Sequence, residues 1–209
     1  MMSALSQILE HKIVAILRGM PPKDTMEIAQ ALYNGGLRIL EITLNSDDAL
    51  TLIEQLSHEF KNKMLIGAGT VLNVKDAENA IDAGATFLIS PSLDLSVIKT
   101  AKDAGVVSIP GAFTPTEILS AYNNGADIIK VFPTLSAEYI KNILAPLNHI
   151  PVMPTGGIDL DNIKSFITTG VVAFGIGSAL VGKQTIIDEA YLQSLTAKAK
   201  AFQQSVNNI

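Results

Sequence analysis

Ala80-Ile81-Asp82-Ala83-Gly84, followed by Phe87-Leu88-Ile89-Ser90, is the phrase that decides the fold. It reads as the end of a helix, a glycine, then an apolar strand. The same phrase recurs at Ala31-Leu32-Tyr33-Asn34-Gly35, Ala101-Lys102-Asp103-Ala104-Gly105, Ala121-Tyr122-Asn123-Asn124-Gly125 and Phe166-Ile167-Thr168-Thr169-Gly170. Gly84, Gly105 and Gly125 follow one another at intervals of 21 and 20 residues, and the two longer gaps each hold one extra strand. Glycine after a last helical residue supplies a left-handed C-cap. Near-continuous apolar strands alternating with helices mean parallel strands joined by crossover helices.

Working outward from that unit gives eight strands, over 13–17, 37–44, 65–71, 87–91, 106–111, 128–133, 151–157 and 173–178. Helices fit near 24–34, 47–60, 75–83, 94–104, 115–123, 138–145, 159–168 and 186–204, with Asp24, Asp47, Asp94, Thr114 and Asp159 at or near their N-caps. Eight such units predict an α/β fold, a compact (β/α)8 TIM barrel forming a single domain over residues 1–209. A doubly wound open sheet is the alternative. In a barrel of this kind the chemistry gathers where the strands end, so polar residues late in apolar strands carry the functional reading.

Lys130, in Asp127-Ile128-Ile129-Lys130-Val131-Phe132-Pro133, is the one lysine of thirteen inside an apolar strand-like run. Burial costs an ammonium group several kcal/mol and pushes it toward the neutral amine, which attacks carbonyl carbon. A snorkelling or salt-bridged lysine at a strand end is the bland reading. Glu41, in Arg38-Ile39-Leu40-Glu41-Ile42-Thr43-Leu44, is likewise the one carboxylate in its strand. Alternation turns Leu40 and Ile42 outward to the helices and Glu41 inward, and turns Ile128, Lys130 and Phe132 inward as well. Two such groups pointing into one enclosure form either a structural ion pair or a nucleophile with its proton shuttle.

Arg18 directly follows the first strand and has the chemistry of a carboxylate clamp, with a solvent-facing arginine as the plain alternative. Thr70 ends Gly67-Ala68-Gly69-Thr70-Val71, whose small residues either admit a ligand to the backbone or mark tight packing. Pro154-Thr155-Gly156-Gly157 and Gly175-Ile176-Gly177-Ser178 close the last two strands. There, glycine-rich turns and following helix N-termini make phosphate sites.

The bulk numbers exclude several classes. With 209 residues, 48% of them apolar and 17% charged, there is material for a large core. A net charge of −5 with two arginines argues against nucleic-acid partners. No cysteine is present, so thiolate chemistry and disulfides are out. His11, His58 and His149 stand apart with no metal-ligand spacing, and no metal is expected. No export signal and no bilayer-spanning run is visible, which makes a soluble cytoplasmic protein the expectation.

Taken in order, Glu41-Ile42-Thr43-Leu44, Ile66-Gly67-Ala68-Gly69-Thr70-Val71, Ile89-Ser90-Pro91, Lys130-Val131-Phe132-Pro133, Pro154-Thr155-Gly156-Gly157-Ile158 and Gly177-Ser178 resemble the class I 2-keto-3-deoxy-6-phosphogluconate aldolases. That family includes the 4-hydroxy-2-oxoglutarate and 2-keto-3-deoxy-6-phosphogalactonate aldolases. The match runs from about residue 10 to residue 182. It implies a Schiff base on Lys130 with Glu41 as general acid and base, and no cofactor beyond that imine. It implies Arg18 and Thr70 at the substrate carboxylate, and Thr155, Phe132 and Pro91 near the substrate hydroxyls. Gly156, Gly157, Gly177 and Ser178 would take the phosphate. The implied partners are a phosphorylated keto acid and pyruvate, and the implied assembly is a homotrimer.

Two departures bear on specificity. Asn45 follows Leu44 where many phosphogluconate-type members carry arginine, which shifts the clamp to Arg18, as in the phosphogalactonate branch; Ser92 stands where glycine is common. The Thr155-Gly-Gly phrase is similar to the phosphogluconate branch. A metal-free sugar-phosphate isomerase or epimerase, and a barrel that only binds phosphorylated metabolites, are the competing readings.

Overall fold

A computed structural model describes residues 2–182 and 186–207. The chain runs α1 (Ala4–His11), β1 (Ile13–Leu17), α2 (Pro22–Asn34), β2 (Ile39–Thr43), α3 (Ala49–Glu59), β3 (Leu65–Gly69), α4 (Val74–Asp82) and β4 (Phe87–Ile89). It continues through α5 (Leu95–Asp103), β5 (Val107–Ile109), β6 (Gly111–Ala112), α6 (Pro115–Asn123), β7 (Ile129–Val131), α7 (Ala137–Leu144), β8 (Val152–Pro154), α8 (Ile163–Ile167), β9 (Phe174–Ile176) and α9 (Glu189–Asn207). Every strand pairing is parallel.

The strands form a curled sheet in two ladders, β5-β4-β3-β2-β1-β9 and β6-β7-β8. The ladders meet at both seams. At one, Thr155 bridges Gly175 and the Val172 N–H donates to the Val152 carbonyl at 3.0 Å. At the other, the Asp127 N–H donates to the Ser108 carbonyl at 3.0 Å and the Lys130 N–H to the Pro110 carbonyl at 2.9 Å. The strand expected over 106–111 is two strands because Pro110 has no N–H to give the ladder. β1 has its expected bounds, while β2, β3, β4, β7, β8 and β9 stop short of the expected C-terminal ends, where the chain leaves the ladder to build turns.

The glycine punctuation holds with one correction. Gly84, Gly105, Gly125 and Gly170 have positive φ, but Gly35 does not; in the first unit the left-handed residue is Gly36, at φ +97°. Gly35 is small for another reason: a Cβ there would stand 2.5 Å from the Ala199 Cβ, where α2 packs on α9. Of the expected caps, Asp94 and Thr114 accept helix N–H groups, Thr114 within a capping box closed by Glu117. Asp24 lies inside the first turn of α2, and Asp48, not Asp47, precedes α3.

Two apolar layers follow from the alternation. Outward residues such as Leu40, Ile42, Ile129 and Val131 join the core between sheet and helices. Inward residues Val14, Ile39, Leu65, Phe87, Val107, Ile109, Ile128, Met153 and Ala173 form a second cluster inside the curl, and Ile8 of α1 completes it. The segment before residue 12 is therefore more than the mixed polar lead-in its sequence suggests. Ser3 caps α1 by accepting from the Ser6 N–H, and Lys12 ends it in a left-handed turn at φ 63°. Among the described residues, no helix is long and apolar enough to cross a membrane.

Candidate active site

Glu41 and Lys130 each sit two residues along from a member of the inner layer, Ile39 and Ile128, so the pleat returns them to the same inward face. Glu41 is aligned between Ile16 of β1 and Gly67 of β3; Lys130 is aligned between Gly111 of β6 and Met153 of β8. Glu41 is 0% exposed and Lys130 2%. Neither carboxyl oxygen of Glu41 has a hydrogen-bond partner among the described residues. Burial pushes the Glu41 carboxyl above its ordinary range, against the opposing pull of Lys130 and Arg18. Burial holds the Lys130 amine below the ordinary lysine range; Glu41 opposes this and Arg18 adds to it. Desolvation is the leading cause in both, and it works against the charged form of each group.

Glycine makes room for that arrangement. A Cβ on Gly69 would fall 1.7 Å from Glu41 Oε1, and one on Gly67 would fall 2.4 Å from the Phe87 ring. The Gly67-Ala68-Gly69 run thus marks tight packing, and part of what it packs is the Glu41 carboxyl itself. Thr70, next in line, is half-buried with φ at +58°, a conformation β-branched residues seldom adopt. Pro91 lies against Gly111, the register neighbour of Lys130; a Cβ there would meet the Pro91 carbonyl carbon at 2.3 Å.

Beside this interior pair opens a cavity of about 450 Å³, within the range of small-ligand sites. Arg18, Phe132, Thr155, Gly156, Gly157, Gly177 and Ser178 all line it. Glu41, Lys130, Thr70 and Pro91 are not among its lining residues. Phe132 connects the two, since its ring lies 5.0 Å from Lys130 Nζ. The Thr155 hydroxyl is buried with no hydrogen-bond partner, while its N–H is held by Thr134 Oγ1 at 2.8 Å and the Val131 carbonyl at 3.0 Å. Gly156 and Gly157 turn at φ +89° and +71°, and the Gly157 carbonyl accepts from Asn162 Nδ2 at 2.7 Å.

Among the described residues, no helix begins directly at these glycines. The helix placed over 159–168 is only Ile163–Ile167, because Asp159 spends its Oδ1 on the Asp161 and Asn162 N–H groups in a preceding turn. α9 begins at Glu189, well past Ser178. Anion binding here would rest on glycine backbone and on Arg18, the one cation lining the cavity among the described residues.

The model for the aldolase family described as KDPG and KHG aldolase matches residues 5–197. The chain belongs to that family. KDPG and KHG aldolases are lyases, and relatives carry names from both specificity branches. The 2-dehydro-3-deoxy-6-phosphogalactonate aldolase of Escherichia coli (strain K12) is 31% identical, over 93% of this chain and 96% of that protein. The 2-dehydro-3-deoxy-phosphogluconate aldolase of Treponema pallidum (strain Nichols) is 35% identical, over 78% and 79%. A solved KDPG aldolase from Legionella pneumophila, described with pyruvate captured at low pH as a covalent carbinolamine intermediate, superposes with a TM-score of 0.85. It is 26% identical, over 95% of this chain and 98% of that one. This chain is thus an aldolase of the KDPG and KHG family.

Several residues of the aldolase site escaped the sequence reading. Met20 and Val181 belong to the cavity's apolar wall, and Asp159 is its one carboxylate among the described residues. Thr134 braces Thr155, and Gly69 seats Glu41. Of these, Gly69 had a usable signal, since the Gly67-Ala68-Gly69 run already pointed to tight packing. Among the described residues, no group of three or more acidic or histidine side chains clusters as metal ligands would.

Proposed function

We propose that this aldolase works through an imine on Lys130, cleaving a 2-keto-3-deoxy-6-phospho sugar acid to pyruvate and glyceraldehyde 3-phosphate. The observation that carries the reading is the buried Lys130 amine, held below its ordinary range beside an unpartnered, protonation-prone Glu41. The Legionella relative, with pyruvate bound covalently as a carbinolamine, supports the same chemistry here.

The neutral amine adds to the C2 ketone, and Glu41 passes the proton that lets the carbinolamine lose water. The Glu41 carboxylate left by that step takes the C4 hydroxyl proton, and the iminium draws the electrons of the breaking C3–C4 bond. Glyceraldehyde 3-phosphate leaves, Glu41 protonates the enamine at C3, and water returns pyruvate and free amine. Arg18 and Thr70 hold the carboxylate. Thr155, Phe132 and Pro91 border the hydroxyls, and Gly156, Gly157, Gly177 and Ser178 receive the phosphate. Clamping both ends fixes the reacting bond between them. No metal takes part.

4-Hydroxy-2-oxoglutarate, cleaved to pyruvate and glyoxylate, fits the same chemistry. The phosphogalactonate-type acid is the second reading, favoured by Arg18 in the cavity with Asn45 beyond β2. The setting we infer is one closed (β/α)8 barrel across residues 1–209. The two hydrogen-bonded seams between the ladders support closure. A homotrimer in the cytoplasm completes the proposal.

Borohydride reduction with pyruvate tests the imine: a stable adduct at Lys130 is expected, and none at saturating pyruvate sinks it, leaving the isomerase reading. Pyruvate release from phosphogluconate-derived, phosphogalactonate-derived, non-phosphorylated and hydroxyglutarate substrates then ranks the substrates. A preference of about a hundredfold for phosphorylated acids, some 2.7 kcal/mol, is expected.

A further inference from the structure

The turn that carries Arg18 is held at both of its flanking peptide groups by one pair of hydroxyls. The Gly19 N–H donates to Ser46 Oγ at 2.9 Å. Ser46 Oγ and Thr43 Oγ1 lie 2.9 Å apart, and Thr43 Oγ1 donates to the Leu17 carbonyl at 3.3 Å. Each hydroxyl has one proton, so the direction is determined. Thr43 spends its proton on Leu17, Ser46 must donate to Thr43, and the free lone pair of Ser46 takes the Gly19 N–H.

The relay therefore begins and ends on the residues either side of Arg18. Thr43 is fully buried on β2, two residues beyond Glu41 and on the same face, and the Ser46 N–H is itself tied to the Thr43 carbonyl at 2.9 Å. Gly19, at φ +62°, gives the turn its shape with open space around it. The relay fixes where the exposed Arg18 side chain starts from. Its charge acts on both Glu41 and Lys130, and its side chain lines the cavity.

We infer that Ser46 and Thr43 are positioning residues that aim the Arg18 guanidinium at the carboxylate of the bound keto acid. The strand bearing the proton shuttle thereby also sets the clamp. The inference rests on the reading of Arg18 as that clamp.

The experiment is a double-mutant cycle read by the pyruvate concentration that gives half-maximal borohydride trapping at Lys130. Ser46→Ala should raise that concentration about fivefold, the scale of one neutral hydrogen bond. Arg18→Ala should raise it about fiftyfold, the scale of a charge-assisted pair. The double variant should match Arg18→Ala alone, because the relay has nothing else to act on. Ser46→Thr, which keeps the hydroxyl, should restore the wild-type value, and thermal midpoints should stay in place. An unchanged value for Ser46→Ala, or an effect that multiplies with that of Arg18→Ala, overturns the inference while the imine stands. Failure of the wild type to form any adduct removes the imine reading instead. The four proteins are then compared by calorimetric titration with pyruvate, where the same pattern supports the relay and its absence overturns it.

Discussion

Lysine meets acid in two very different settings in this molecule. On the outer surface, Lys99 reaches Asp103 at 2.5 Å and Lys102 reaches Asp127 at 2.6 Å. Inside the curl, Lys130 and Glu41 sense each other's charge, yet Glu41 makes no hydrogen bond at all. The touching pair on α5 is exposed on both sides, 74% and 65%, and in water such a bridge contributes about 1 kcal/mol or less. The interior pair is shielded from solvent, so desolvation raises the Glu41 carboxyl above its ordinary range and lowers the Lys130 amine below its own. Close contact is thus a poor guide to chemistry; what matters is whether the surroundings let the charge persist.

The most severe way to break the contrast is Lys130→Met. Removing the nucleophile should lower turnover by at least about 10^4-fold and abolish the borohydride adduct, measured by steady-state pyruvate release and mass spectrometry. Glu41→Gln comes next. It keeps the volume and removes the titrating proton, so kcat should fall about 10^3-fold, the span of one general acid–base group. Gly69→Ala should fall below these, at about 10^2-fold, by pushing the Glu41 carboxyl out of register without touching substrate. If Gly69→Ala kept full activity, the seat under Glu41 would have no catalytic meaning.

What the sequence disclosed and what it withheld divide along the same physical lines. Burial of Glu41 and Lys130 was legible because a charged residue inside an apolar run has no other use for its place, and alternation then fixed its face. The strand segments were legible because each is bounded by a glycine or a turn. Pro110 was visible as a residue, but only three-dimensional pairing reveals that it divides a strand at a seam. α1 buries a single residue, Ile8, so its periodicity is too faint to read. Gly35 and Gly36 are adjacent, and choosing which one turns left-handed requires knowing that α9 leaves no room beside Gly35. The Thr43–Ser46 relay joins residues 27 apart to the Arg18 turn, a proximity no local pattern encodes.

Stability sharpens the comparison on a smaller scale. Because the folded protein holds Lys130 below its ordinary range, the unfolded chain binds more protons between the folded value and the ordinary lysine value. Stability from this group therefore rises with pH across that window and is least below it. Lys130→Met removes the buried amine, so it should raise the thermal midpoint at pH 7 by about 3 °C, the shift made by ~1 kcal/mol in a domain this size. The gain should shrink as pH climbs toward the ordinary lysine value. Calorimetry at three pH values checks this, and a gain that grew with pH would mean the amine is charged and paired.

The least disturbance is expected from Lys99→Ala, although it deletes the shorter of the two surface bridges. Both partners are largely exposed, and the i,i+4 geometry on α5 offers about 0.3–0.5 kcal/mol that salt screens further. Turnover should be unchanged and the thermal midpoint should move by about 2 °C at most, vanishing in high salt. Lys102 differs in reaching beyond its own helix to a half-buried partner, and Asp127 also accepts the Ser108 N–H at 2.8 Å and so pins β5 to the start of β7. Truncating Asp127 should therefore cost more than truncating either lysine. That ordering would show the acid's hold on the backbone, rather than the ion pair, to be the part that matters at this surface.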